Sequence, residues 1–274
     1  MKKLEVKNIS KSFDGRKIIE NVNMTLHPGE IIALLGVSGG GKTTLFNIIA
    51  GLTAPDEGDV LLDDESIIGQ PGRISYMLQK DLLLPHKTVI DNIALPLVIR
   101  GTKKKEAREI ASKHLGQFGL SGYEKKHPAE LSGGMRQRAA LLRTFLFSGE
   151  VTLLDEPFSA LDTITRSSMH IWYLSVMEEL KIPTILITHD VDEAILLSDR
   201  ICILSRMNAQ PSEAGASVQG SDMNEAAEGI SVPGADAPAT ISHIITIENR
   251  PQKNHEYLLT EDFLQYKRQI IDLI

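Results

Sequence analysis

The chain has 274 residues, 42% of them hydrophobic, with 29 basic and 36 acidic side chains for a formal net charge of −7. That apolar content can fill one large core, and the acidic balance excludes the electrostatic footprint of a general nucleic-acid binder. A single cysteine, Cys202, rules out an internal disulfide and fits a reducing compartment; with no apolar h-region in MKKLEVKNISKSF and no apolar run near about 18 residues, the chain is expected to be neither secreted nor membrane-spanning.

KLEVKNISKSF, at the start, and DVLLDDESI, near residue 60, alternate as antiparallel strands do. EIIALLG reads as a buried strand, followed by the glycine-rich GVSGGGKTT (Gly36 to Thr44) and the helical GKTTLFNIIAGL. YMLQKD ends a short strand at Gln79 and leads into LLLPH, where Leu83 and Leu84 are expected to be exposed, the alternative being their burial in the helical portion. Between about Thr102 and Leu120, the residues Ala107, Ile110, Ala111, Leu115 and Phe118 recur at helical spacing and predict a helical block interrupting the α/β pattern. LSGGM then opens an apolar, Arg-bearing helix. VTLLDEP, PTILITHD and RICILS are further buried strands, separated by helices over Thr163 to Leu180 and VDEAILLSD. This alternation predicts an α/β fold with a largely parallel core sheet, an antiparallel β portion and an inserted helical portion.

Residues 206–239 depart from the pattern. Nineteen of these 34 are Ala, Gly, Ser or Pro, none is aromatic, and five acids face one base, so a disordered acidic loop is expected. TISHIITIEN resumes as a strand, and TEDFLQYKRQIIDLI as a helix with Thr260 in position to cap it.

The chemistry gathers in a few places. G-x-x-x-x-G-K-[ST] between a strand and a helix is a phosphate loop. Its glycines, with Gly36, Ser38, Gly39, Gly40 and Gly41 in the loop, let backbone N–H groups curl around phosphate oxygens, while Lys42 reaches the β and γ phosphates and Thr43, next to Thr44, offers a hydroxyl to Mg²⁺. Asp155 ends a strand where it can hold Mg²⁺ through water, and Glu156 is placed to take a proton from water attacking the γ phosphate. Adjacent acids after an apolar strand, without an N-K-x-D guanine-reading motif, favour an ATPase. Three residues admit two readings each. His189 is either a surface strand end or a γ-phosphate partner. Gln79 is either an idle amide or a contact to Mg²⁺ or the attacking water. Phe13 is either core or a stacking surface for adenine. LSGGM adds a problem of its own, because Ser132, Gly133 and Gly134 at a helix start form an anion site without a lysine.

The phosphate loop, Gln79, LSGGM, LLDEP, SALD (Ser159 to Asp162) and His189 stand in the order and roughly at the intervals of the ATP-binding subunits of ABC transporters, which the chain resembles from Met1 to about Arg206. RISYMLQKDLLLPHKTVIDNIALPLVIRG and the tail DFLQYKRQIIDLI are similar to the nitrate/sulfonate/taurine branch of importers, which includes pyrimidine-precursor uptake systems. The resemblance implies an ABC cassette over 1–205, with a helical subdomain at about 80–145, completed by a strand and helix at 240–274. It also implies that Lys42 and Thr43 bind phosphate and Mg²⁺, that Gln79 is the Q-loop glutamine and that Asp155 binds Mg²⁺. Glu156 becomes the catalytic base, Asp162 part of the D-loop, His189 the switch histidine, and Ser132 to Gly134 the signature. Two copies then pack head to tail, each ATP lying between one chain's Lys42 loop and the other's Ser132 loop, which accounts for the lysine-free site. Transmembrane permease subunits, indirectly a substrate-binding protein, and a peripheral position on the cytoplasmic face of the membrane follow from the same likeness. Met135 stands where Gln is usual, Phe13 where Tyr is common, and His86 where this branch carries Trp. The competing expectations are a soluble ABC-type ATPase clamping another macromolecule, and a binding module in which ATP only joins two copies.

Overall fold

Two long strands open the computed structural model, which describes residues 2–147, 150–206, 237–248 and 256–274. β1 (Leu4–Phe13) and β2 (Arg16–Leu26) form an antiparallel pair turning at Asp14 and Gly15, both at positive φ. β3 (Ile31–Gly36) and α1 (Lys42–Ile49) follow, then β4 (Glu57–Leu62), β5 (Glu65–Ser66) and β6 (Ser75–Met77). Four helices fill the interval before the next strand: α2 (Val89–Ile93), α3 (Leu95–Ile99), α4 (Lys104–Ser112) and α5 (Gly133–Phe145). The chain continues through β7 (Thr152–Asp155), α6 (Thr163–Leu180), β8 (Thr184–Ile187), α7 (Val191–Leu197), β9 (Arg200–Arg206), β10 (Ala239–Thr246) and α8 (Glu261–Ile271).

The strands form one sheet in the order β5-β4-β1-β2-β10-β9-β3-β8-β7-β6. From β9 to β6 it is parallel, and from β5 to β2 antiparallel, as the two kinds of sequence pattern predict. β3 shows why its sequence is apolar without alternation. Ile31, Ala33 and Leu35 face one core with α5, α6 and α7, whereas Ile32 and Leu34 face the other with α1, so both faces of the strand are covered. β10 inserts between β2 and β9, antiparallel to β9 and joined to β2 in parallel at Ala239↔Ile19.

Helix starts follow their caps. Asp162 accepts from Thr165 N–H at 3.0 Å and opens α6, which spans the predicted Thr163 to Leu180. Thr260 accepts from Phe263 N–H at 3.3 Å and opens α8, and Ser132 accepts from Met135 N–H at 3.3 Å and opens α5. Two expectations need correction. The block from 102 to 120 is helical only through Ser112; beyond it the chain turns, with Gly119 at φ +64 and Leu120 N–H bonded to Leu115 O, although Leu115 and Phe118 stay buried. Leu83 is not exposed either: it is 8% exposed and packs in the core, while Leu82 beside it, at φ +45, is 52% exposed. Buried Asn92 fixes this turn, accepting from Leu84 N–H and donating to the carbonyls of Leu84, Lys87 and Thr88. The expected disordered loop falls mainly on residues 207–236, outside the described residues. Among the described residues, no helix is long and apolar enough to cross a membrane.

Candidate active site

Parallel strands place their C-terminal ends at one edge of a sheet, and there β3, β6, β7 and β8 deliver the phosphate loop, Gln79, Asp155–Glu156 and His189. The loop between β3 and α1 turns through Gly39 (φ +72) and Gly41 (φ +90); a Cβ on Gly41 would stand 2.6 Å from Ile19 Cγ2, so that position needs glycine for both conformation and space. Lys42, 8% exposed, donates from Nζ to Gly36 O (2.7 Å) and Val37 O (3.0 Å). Burial pulls its pKa down, while the nearby carboxylates of Glu156 and Asp155 act in the opposite direction.

Asp155 pairs with Ile187 across the β7–β8 ladder, and burial, reinforced by Glu156, raises its pKa against the pull of Lys42. Glu156 adopts φ +46, an unusual conformation for a residue with a Cβ, fixed by its N–H donating to Ile187 O at 3.0 Å. The turn aims its carboxylate between two partners. Gln79 Nε2 donates to Oε2 at 2.8 Å, and His189 Nδ1 lies 3.3 Å from Oε1. His189 itself is a solvent-facing side chain, 60% exposed.

A cavity of about 410 Å³ lies over Lys42, Gln79, Asp155 and Glu156, with His189 outside its lining. Phe13 and Ile18 line one part; Ser38, Gly39, Gly40, Gly41, Lys42, Thr43 and Thr44 form the loop wall, and Gln79, Asp155, Glu156 and Ile187 complete it. Phe13 is 47% exposed, which removes the core reading and leaves its ring available for stacking. Gly36 contributes its carbonyl to Lys42 from below, and a Cβ there would meet Leu204 O at 2.4 Å. The donors suit Mg²⁺ with a triphosphate: the Thr43 hydroxyl, the Gln79 amide oxygen and the Asp155 carboxylate are hard oxygen ligands, one of them charged, beside a lysine ammonium. Ile18 and Ile187 were not singled out in the sequence, where each is one of many apolar strand residues.

Ser132, Gly133, Gly134 and Asp162 do not line this cavity. The start of α5 packs instead on the residues either side of Asp162: a Cβ on Gly133 would touch Leu161, and one on Gly134 would stand 3.1 Å from Thr165 Cγ2. The start of α5 thus lies apart from the Lys42 cavity.

The ABC transporter family model matches residues 19–159. The chain belongs to the ABC transporter family. This ABC ATPase is 48% identical over 188 residues to the formylaminopyrimidine import ATP-binding protein ThiZ of Halalkalibacterium halodurans, a match covering 69% of this chain and 73% of that one. It is 38% identical over 208 residues to the sulfate/thiosulfate import ATP-binding protein CysA of the same organism, covering 73% of this chain and 58% of the relative. Among solved structures, cbiO1 of Clostridium perfringens, part of an ABC transporter complex, superposes with a TM-score of 0.67 at 26% identity, covering 74% of this chain and 84% of that one. The mixed sheet and the helices between β6 and β7 are thus those of an ABC cassette.

Proposed function

We propose that two copies of this ABC ATPase close head to tail around two ATP molecules and drive import of a small solute through transmembrane permease subunits, with a substrate-binding protein acting upstream. The observation that carries the chemistry is the Glu156 carboxylate held between Gln79 and His189 over the Lys42 cavity. In this reading Phe13 stacks on adenine, and Gly36, Ser38, Gly39, Gly40, Gly41, Lys42, Thr43 and Thr44 hold the phosphates. The Thr43 hydroxyl, the Gln79 oxygen and the Asp155 carboxylate would hold Mg²⁺, which would supply positive charge against the phosphates. Glu156 accepts the proton of the attacking water, and His189 orients Glu156 and the γ phosphate. Ser132, Gly133, Gly134 and Asp162 complete the site of the partner protomer. The cassette comprises 1–205, with its helical subdomain at about 80–145, and 240–274.

The solute belongs to the nitrate/sulfonate/taurine or pyrimidine-precursor group. Similarity to a formylaminopyrimidine import protein at 48% identity favours the pyrimidine end. The complex sits at the cytoplasmic face of the membrane, with this subunit peripheral.

A separate apolar groove of about 340 Å³, lined in part by Leu52, Leu78, Leu82, Ile99 and Arg143, suits a permease segment. These four apolar side chains are 60%, 43%, 52% and 72% exposed, a cluster that invites a partner. Arg143 holds the rim by donating to the carbonyls of Asp81 and Leu82. Leu82→Asp is compatible with φ +45, a conformation Asp tolerates. The isolated subunit should keep its ATPase rate, whereas transport by the assembled complex in liposomes should fall about thirtyfold or more, the scale of a charge placed in an interface hot spot. Unchanged transport would remove this groove as the permease surface, and loss of ATPase in the isolated subunit would give Leu82 a different role.

A further inference from the structure

Behind the His189 turn lie three buried polar side chains that none of the roles above uses. His170 of α6 is 8% exposed, Glu193 of α7 5%, and Thr188 1%. His170 Nε2 lies 3.1 Å from Glu193 Oε1, and the Thr188 hydroxyl donates to Glu193 Oε2. That hydroxyl accepts from Asp190 N–H at 3.1 Å, which leaves its single proton for Glu193. An ionised Glu193 can only accept on both oxygens, which calls for the His170 tautomer that carries its proton on Nε2. Asp190 meanwhile caps α7 by accepting from Glu193 N–H at 3.1 Å. A buried carboxylate is costly unless its lone pairs are met, and here two side chains meet them.

The same histidine reaches the other catalytic loop. Its ring stands edge-on to Phe158, with centroids 5.1 Å apart and planes at 76°. Phe158 is fully buried two residues beyond Glu156, in a turn closed by Ser159 N–H to Glu156 O. One helical turn earlier on α6, Arg166 donates to Leu161 O at 2.9 Å and approaches the Asp190 carboxylate at 4.0 Å. One face of α6 therefore touches both the loop that bears Glu156 and the loop that bears His189.

We propose that His170, acting through Glu193 and Thr188, is a positioning residue that keeps the Thr188–His189–Asp190 turn in register with Glu156. Because the His189 side chain is largely exposed, its aim is set by the backbone on either side, and both flanking residues are held in this network. The inference rests on the participation of His189 in hydrolysis proposed above.

The test uses the full chain. His170→Phe keeps an aromatic ring against Phe158 and removes the donor; Thr188→Val removes the hydroxyl at constant shape. Each should lower kcat about tenfold with KM for ATP nearly unchanged, and each should also lower the melting temperature, because it leaves one oxygen of a buried carboxylate unmet; the kcat-against-KM split and the rescue below separate positioning from that general loss. His170→Gln, whose amide can donate to the same carboxylate, should recover most of the rate. In a His189→Ala background, single-turnover hydrolysis should show no further loss on adding either change. If His170→Phe does not fold, Thr188→Val carries the test alone. Parental kcat in Thr188→Val, or losses that multiply with that of His189→Ala, would overturn the relay. Parental turnover in His189→Ala would instead remove the role of His189 and the relay with it. That outcome is distinct from a failed relay, in which His189→Ala is slow and the Thr188 and His170 variants are not.

Discussion

Glu156→Gln should bind ATP like the parent and hydrolyse it about 10²–10⁴-fold more slowly, the range expected for loss of a general base. The substitution is close to isosteric, and its hydrogen bonds can be kept. Gln79 Nε2 donates to one Glu156 oxygen, a role the new amide oxygen can take, and the new NH₂ group can face His189 Nδ1. The left-handed backbone, fixed by the N–H bond to Ile187 O, does not depend on the carboxylate. What the amide cannot do is accept a proton from water. With hydrolysis blocked, bound ATP should shift the population toward the closed dimer by mass action. Phosphate release and gel filtration in the presence of ATP and Mg²⁺ measure both effects. Turnover within a few-fold of the parent would take the base role from Glu156.

Lys42→Ala should weaken ATP binding about a hundredfold, as loss of a charge-assisted contact to a polyanion in a shielded site does. Lys42 is buried, and burial lowers its pKa while Glu156 and Asp155 oppose that shift; a triphosphate would add to the opposing effect and favour the ammonium further. Its bonds in this structure go to two backbone carbonyls rather than to a carboxylate, so its removal should cost the fold little. Titration with a fluorescent ATP analogue alongside thermal melting separates the two effects. Lys42→Arg should not restore binding, because a planar guanidinium does not reproduce a compact ammonium beneath the loop. Full affinity in Lys42→Ala would leave phosphate recognition to the loop backbone alone.

Much of this arrangement was legible in the sequence, because its decisive features are local. A strand buried on both faces needs a continuous apolar run, a helix start needs a side-chain acceptor, and a phosphate loop needs glycine where φ is positive. β3, Asp162, Thr260 and Gly41 each satisfy one of these rules. The features that escaped depend on distant neighbours. Leu83 and Leu82 are the same residue type in one run, and the positive φ at Leu82, with the bonds Asn92 and Arg143 make to this turn, decides which of them enters the core. The pattern over 102–120 keeps its burial yet loses its helix after Ser112, where Gly119 at positive φ allows a turn that places Leu115 and Phe118 by another route. Ile18 joins the Lys42 cavity because β2 passes beside the glycine-rich loop, a proximity no spacing along the chain encodes. The His170–Glu193–Thr188 network was equally silent, since its members come from three segments and only folding brings them together.

If the Ser132 loop serves the partner protomer's ATP, mixing two defective chains should restore a site. Lys42→Ala removes the phosphate-loop cation and Ser132→Arg blocks the signature, so each homodimer has two damaged sites. In a mixed head-to-tail dimer both lesions fall on one composite site, and the other joins an intact Lys42 loop to an intact Ser132 loop. With Glu156→Gln in both chains, trapped ATP can be counted without requiring turnover. Confirmed heterodimers should trap close to one ATP per dimer, well above either mutant alone. Heterodimers that trap no more than the single mutants would mean that both loops act on one nucleotide within one chain, and would contradict that role of the Ser132 loop.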